Sequence, residues 1–179
     1  VIFAGDLFDA TARNYAPFEE IINTSAVQCV ILRGNHDAAL GQKDFTSPRI
    51  RVVEKTTVSR MDLMSLDMVY VPFREDCSMG EALSEADSEL QPGRWILISH
   101  GDWTGTMKEQ NTVEKGVYMP LTRGDIESGR PLRVILGHIH KPIDSGTVQY
   151  PRALCPLHIN DCGRRRYLIL DTETGETEA

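Results

Sequence analysis

The chain opens on four apolar or small residues, Val1-Ile2-Phe3-Ala4, and then turns abruptly polar with Gly5, Asp6 and Asp9. A run of that length is too short for a helix and reads as a strand buried on both faces. Tyr15 to Ala26 carries Phe18, Ile21 and Ile22 at helical spacing, and Val27 to Leu32 is a second apolar run closed by Arg33-Gly34-Asn35-His36-Asp37. Strand, helix and strand in that order make a βαβ unit, which demands two parallel strands joined by a right-handed crossover. The unit also says where function belongs, because ligands of open α/β sheets bind just beyond the carboxyl ends of the strands. Both ends bear polar residues here. Each has a plain structural explanation when taken alone, Asp9 as a helix cap and Gly34-Asn35 as a turn.

The pattern then recurs. Trp95 to Ile98 is apolar and runs into Ser99-His100-Gly101-Asp102-Trp103; Leu132 to Leu136 runs into Gly137-His138-Ile139-His140-Lys141-Pro142. Carboxylate, amide oxygen and imidazole nitrogen are the donors that borderline divalent cations take. Residues two apart in an extended segment project to the same side, so His138 and His140 can face one pocket while serving neighbouring metals. One histidine on a strand is usually a structural residue. Four of them near the ends of three apolar strands, beside Asp6 and Asn35, point to a metal centre.

Between these runs the chain reads as short antiparallel strands at Ile50 to Val53, Thr57 to Arg60 and Leu66 to Val71, with Asp62 in a turn. A helix is expected over Ser78 to Leu90 and a short one near Leu121 to Ser128. The long segment Thr104 to Arg130 is expected to wall the site. Val148 to Tyr150 and Tyr167 to Leu170 read as late strands, and Thr172 to Ala179 as a polar tail.

At 179 residues the chain is the length of one domain, and 1–179 is read as one, with no internal repeat or linker. A net charge of −7 argues weakly against a broad nucleic-acid-binding face, which recruits Lys and Arg. The four cysteines, Cys29, Cys77, Cys155 and Cys162, are scattered. A zinc site from Cys155, His158 and Cys162 lacks the usual paired spacing. With no apolar stretch of membrane length and no signal peptide, no membrane partner is expected, and the cytoplasm is the expected compartment.

Gly5-Asp6-x-x-Asp9, Gly34-Asn35-His36-Asp37, His100-Gly101 and Gly137-His138-Ile139-His140 together resemble the motifs of the calcineurin-like metallophosphoesterases, in order and spacing, over roughly residues 1 to 142. The resemblance implies an α/β fold: a β-sandwich of mixed sheets flanked by helices, with a dinuclear metal site at the strand ends. It implies that Asp6 bridges two divalent cations, that Asn35, His100 and His138 complete one site, and that His140 contributes to the other. His36 resembles the family's catalytic histidine, acting on the leaving oxygen, and Asp9 and Asp37 its ligand-orienting carboxylates. Arg33, next to the second motif, is a candidate for holding substrate. Two cations about 3.5–4 Å apart lower the pKa of a bridging water and clamp both oxygens of an in-line displacement. A histidine outside the metal shell stays free for proton transfer. The family's Asp-x-His pair, borne on a strand before Gly-Asp, has no counterpart ahead of Val1, and an amino-terminal strand is therefore expected to be missing.

Phe3 to Asp9, Gly137 to Pro142 and the ending Tyr150-Pro151 followed by Tyr167-Leu168-Ile169-Leu170-Asp171 are similar to one branch, the SbcD-like DNA repair exonucleases. That branch implies manganese as the metal, although magnesium, iron or zinc suits the same donors. It also implies DNA as substrate and an ATPase partner of the SbcC type; a homodimer is a further expectation. The chain departs from the branch at Arg152-Ala153, where Gly-Ser is common. Its basic run is confined to Arg164, Arg165 and Arg166, which a solvated loop would explain equally well. Three readings stay open: a DNA nuclease, a phosphodiesterase or phosphatase acting on small molecules or proteins, and a non-catalytic protein-binding scaffold.

Overall fold

In the computed structural model, residues 1–12, 14–60, 66–86, 90–105, 116–156 and 163–179 are described. The first βαβ unit forms as its periodicity requires. Strand β1 (Ile2–Ala4) leads to helix α1 (Ala16–Ser25) and strand β2 (Cys29–Leu32). The two strands run parallel, with Ile2 beside Val30 and Ala4 beside Leu32. Pro17 in the first turn of α1 suits a position whose N–H has no helical partner. Ala26, in the left-handed region at φ 58°, stops the helix.

Strand β3 (Ile50–Val53) joins the other side of β2, also parallel, giving a sheet in the order β1-β2-β3. Its direction differs from the antiparallel reading, since alternation of apolar residues reports burial and not strand polarity. The order also explains a difference at β1: it is an edge strand, and Ile2 is 38% exposed where burial on both faces was expected.

The second sheet has six strands in the order β4-β5-β6-β7-β9-β8. They are β4 (Thr57–Ser59), β5 (Asp67–Val71), β6 (Trp95–His100), β7 (Arg133–Gly137), β8 (Ile143–Ser145) and β9 (Val148–Tyr150). The core pairs β5-β6, β6-β7 and β7-β9 are parallel, while β4 and β8 pair antiparallel with their neighbours. Helix α2 (Met79–Ser84) is shorter than expected. It starts at a capping box in which Ser78 and Glu81 satisfy each other's backbone N–H groups. Thr122 and Asp125 do the same for helix α3 (Arg123–Gly129). Strand β10 (Ile169–Leu170) pairs with β11 (Thr177–Glu178), so the polar ending is structured as a small hairpin.

Side chains alternate across a strand, and that period assigns them to three cores. Cys29, Ile31, Ile50 and Val52 face α1. Leu32 and Val53 meet Met68, Tyr70, Ile96, Ile98 and Ile135 between the sheets. Val69, Val71, Trp95, Leu97, Val134 and Leu136 pack under α2. Full burial of each large apolar side chain contributes about 1.5–3 kcal/mol. On β6 the inward parity of Ile96 and Ile98 continues to His100, so the imidazole at the strand end is carried to the seam between the sheets.

Candidate metal centre

Asp6, Asn35, His100 and His138 come together where β1 and β2 of one sheet end against β6 and β7 of the other. One donor atom from each of Asp6, His100 and His138 lies within 4.8 Å of the others. His100 is completely buried, His138 nearly so. His100 Nδ1 donates to the carbonyl of Ala4 at 2.8 Å, tying β6 to the end of β1. With the proton on Nδ1, Nε2 presents a lone pair to Asp6 Oδ2 at 3.1 Å and Asn35 Oδ1 at 2.9 Å. His138 Nδ1 approaches the same Asn35 oxygen at 3.1 Å. Donor atoms of four residues thus converge on one small volume, and their types fit a divalent metal ion.

The backbone is shaped for this convergence. Asp6 and His138 both sit at positive φ, 53° and 93°, at a cost of order 1–3 kcal/mol each for residues other than glycine. Asp6 Oδ1 accepts the His36 N–H at 2.9 Å, which links the first strand end to the second. Burial alone would raise the Asp6 carboxyl, but the His100 ring and the His36 N–H hold it below the usual carboxylate range. Gly34 has no room for a side chain: a Cβ there would collide with the Asp6 carboxylate and its backbone nitrogen.

Asp37 lies beneath both loops and is buried. Its Oδ2 accepts the N–H groups of Leu7 at 2.9 Å and Phe8 at 3.2 Å, and its Oδ1 that of Gly34 at 2.6 Å. It therefore orients the backbone on which Asp6 and Asn35 stand. Burial pushes its carboxyl up; the Gly34 and Phe8 N–H groups counter that, and the neighbouring Asp6 charge adds to the rise. Asp9 is exposed and closes its own turn, accepting the N–H and hydroxyl of Thr11 at 2.9 and 2.8 Å. His36 is exposed beside the cluster. His140 is half-buried and outside the Asp6–His100–His138 group. The Arg33 guanidinium turns to Glu54, at 3.0 Å, and to the Leu40 carbonyl.

Sequence reasoning passed over Asp102, Tyr118 and Tyr150. Asp102 is buried, and its Oδ2 lies 3.8 Å from His138 Nε2. The Tyr118 ring packs on that of His138 with centroids 5.0 Å apart. The spacing that singled out His138-x-His140 also relates His100 to Asp102, and was the available signal. His158 and Cys162 lie outside the described residues, as does Asp62. Cys29 is a core thiol pushed up to about 11 by burial.

A sandwich of mixed sheets gathers carboxylate, amide and imidazole groups at one end, a donor set that could hold a divalent metal ion. The model of the calcineurin-like phosphoesterase family matches residues 1–152, and the chain belongs to that family. The family typically binds two divalent metals, and the Asp6–His100–His138 cluster is where this chain offers ligands. The comparison with curated proteins found no match. Among the described residues no helix is long and apolar enough to cross a membrane.

Proposed function

We propose that the protein hydrolyses phosphodiester bonds of DNA, as an exo- or endonuclease of the SbcD type, with manganese as its working metal. The observation that carries the phosphoester chemistry is the convergence of the Asp6, Asn35, His100 and His138 donor atoms in a chain of the calcineurin-like phosphoesterase family. The DNA reading is supported by the wording of the motifs around that centre, Phe3 to Asp9 and Gly137 to Pro142. Bound divalent cations would supply an activated water and charge neutralisation for the phosphate. Asp6 is assigned the bridging position, His140 to the second cation, and Asp37 to holding the loops that carry the ligands. His36, whose backbone N–H donates to Asp6 and which is exposed, is assigned the proton given to the leaving oxygen. Arg33 loses weight as a substrate contact because its guanidinium is held by Glu54 and Leu40. The same reading brings a cytoplasmic setting, an ATPase partner of the SbcC type and a homodimer as proposals.

The test is an assay of the protein with manganese on end-labelled duplex DNA, a cyclic nucleotide and p-nitrophenyl phosphate, with Asp6→Asn alongside. Asn keeps the acceptor for the His36 N–H and removes the charge. It should therefore stay folded, with weaker manganese binding by calorimetry and less hydrolysis. Turnover of DNA in preference to the small esters supports the nuclease. Turnover of the small esters alone moves the protein to the phosphodiesterase reading, and unchanged metal binding in Asp6→Asn removes the bridging assignment.

A further inference from the structure

His100 and His138 present opposite nitrogens to the cluster. His100 faces it with Nε2, its Nδ1 proton being fixed on the Ala4 carbonyl. His138 faces Asn35 with Nδ1, which leaves Nε2 on the far side of the ring, 3.8 Å from Asp102 Oδ2. An imidazole offers a lone pair on one nitrogen only when its proton sits on the other. For Nδ1 to serve as a ligand, the His138 proton must therefore sit on Nε2, against the pull of the Asn35 oxygen within hydrogen-bond distance of Nδ1.

Asp102 is built for that position. Its side chain is buried, and its Oδ2 accepts the Tyr118 N–H at 2.7 Å. Its own N–H donates to the Tyr118 carbonyl at 2.9 Å, and its carbonyl accepts from Leu121 at 2.8 Å. The residues on either side are tied to one hydroxyl: Tyr150 accepts from the Trp103 N–H at 2.7 Å and donates to the Gly101 carbonyl at 2.9 Å. Tyr150 is itself fully buried on β9. The backbone is pinned on both sides of Asp102, and the Tyr118 N–H holds its carboxylate in the buried position. At 3.8 Å it is beyond hydrogen-bond range of Nε2, and it acts on the ring as a close negative charge.

We propose that Asp102 is a positioning residue for the metal centre: it holds His138 in the tautomer that carries its proton on Nε2 and leaves Nδ1 as the ligand atom. The Tyr150 hydroxyl clamp and the Tyr118 backbone keep Asp102 at that station. This rests on the metal-centred reading above, and it sets a carboxylate beside a ligating histidine, where its charge at 3.8 Å orients the ring and raises its basicity. His100 uses a backbone carbonyl for the same purpose, so the two imidazoles are fixed by different means.

The experiment reads the tautomer directly in the full chain, metal-free and labelled with ¹⁵N-histidine, from long-range nitrogen–proton spectra. His138 should show a proton on Nε2 in the wild type, and a shift of that proton toward Nδ1 in Asp102→Ala. Zinc affinity by calorimetry should fall roughly 10–100-fold in the same variant. Asp102→Asn keeps an acceptor for the Tyr118 N–H and removes the charge. It should fold as the wild type while still losing zinc affinity, and it carries the test if Asp102→Ala does not fold. A wild-type proton on Nδ1, or zinc affinity and tautomer unmoved in either folded variant, overturns the proposal. An Asp102-dependent tautomer in a protein that binds no zinc supports the positioning role and overturns the metal-centred function instead.

Discussion

Gly34 and His36 flank Asn35 and depend on opposite properties of the same turn. Gly34 is buried, with the Asp6 carboxylate and backbone occupying the space where a side chain would begin. Gly34→Ala should therefore displace Asp6 and lower manganese affinity, and cost about 1–3 kcal/mol of stability as an overpacked site does. Calorimetric titration and a thermal melt read the two effects. Wild-type values in both would mean that the Asp6 loop yields at no cost. His36 is exposed, and its backbone N–H donates to Asp6 Oδ1 at 2.9 Å. His36→Gln should then bind manganese normally and lose roughly 10²–10⁴-fold in hydrolysis rate, the range of a general acid. A collapse of metal binding would make His36 a ligand.

Among the elements, α1 is tied to the loop before β3 by one carboxylate. Glu19 accepts the N–H of Thr46 at 2.7 Å, the Thr46 hydroxyl at 3.1 Å and the N–H of Ser47. The Ser47 N–H foremost, with those from Thr46, holds the Glu19 carboxyl below its ordinary value although partial desolvation opposes them. A group with a depressed folded pKa stabilises the fold above its unfolded pKa, and that contribution is lost as the pH falls through the folded value. Glu19→Gln should lower the melting temperature at neutral pH, and the gap should close on acidification. A gap independent of pH would mean that the contact works through packing and not charge. This loop was not legible in the sequence, because nothing in Phe45-Thr46-Ser47 announces a distant carboxylate. The βαβ unit was legible, since two short apolar runs flank a segment of helical period. So were the ends of β6 and β7, since an imidazole closing a buried strand must be provided for. Strand β11 hid because Thr177 and Glu178 lack the apolar alternation by which a strand is recognised. Asp102 hid because a carboxylate in a loop is usually solvated, and only its neighbours in space, Tyr118 and Tyr150, show that this one is buried.

At the scale of the whole molecule, a chain of net charge −7 has to meet a polyanion through few positive groups. The basic run Arg164 to Arg166 divides in two. Arg166 donates to the carbonyls of Pro151 at 2.9 Å and Tyr150 at 3.2 Å, and pairs with Asp144 at 3.0 Å. Arg165 donates to the Ala153 carbonyl at 3.1 Å. Both brace the segment that follows β9, whose Tyr150 in turn clamps the loop of Asp102. Arg164 lends its carbonyl to Arg152 and is exposed. If the protein acts on duplex DNA, Arg164 is the member of the run that reaches a phosphate, and each such contact contributes about 0.9 to the slope of log affinity against log salt. Arg164→Ser should flatten that slope by about one contact and leave the melting temperature unchanged. Arg166→Ser should leave the slope and lower the melting temperature, by an amount corresponding to about 1–3 kcal/mol for carbonyls and a carboxylate losing their donor. Anisotropy of a labelled duplex across a salt series, beside thermal melts of both variants, separates the two roles. An unaltered slope in Arg164→Ser returns the whole run to structural work and leaves the acidic chain without a phosphate contact there, which would favour the small-ester reading over the nuclease.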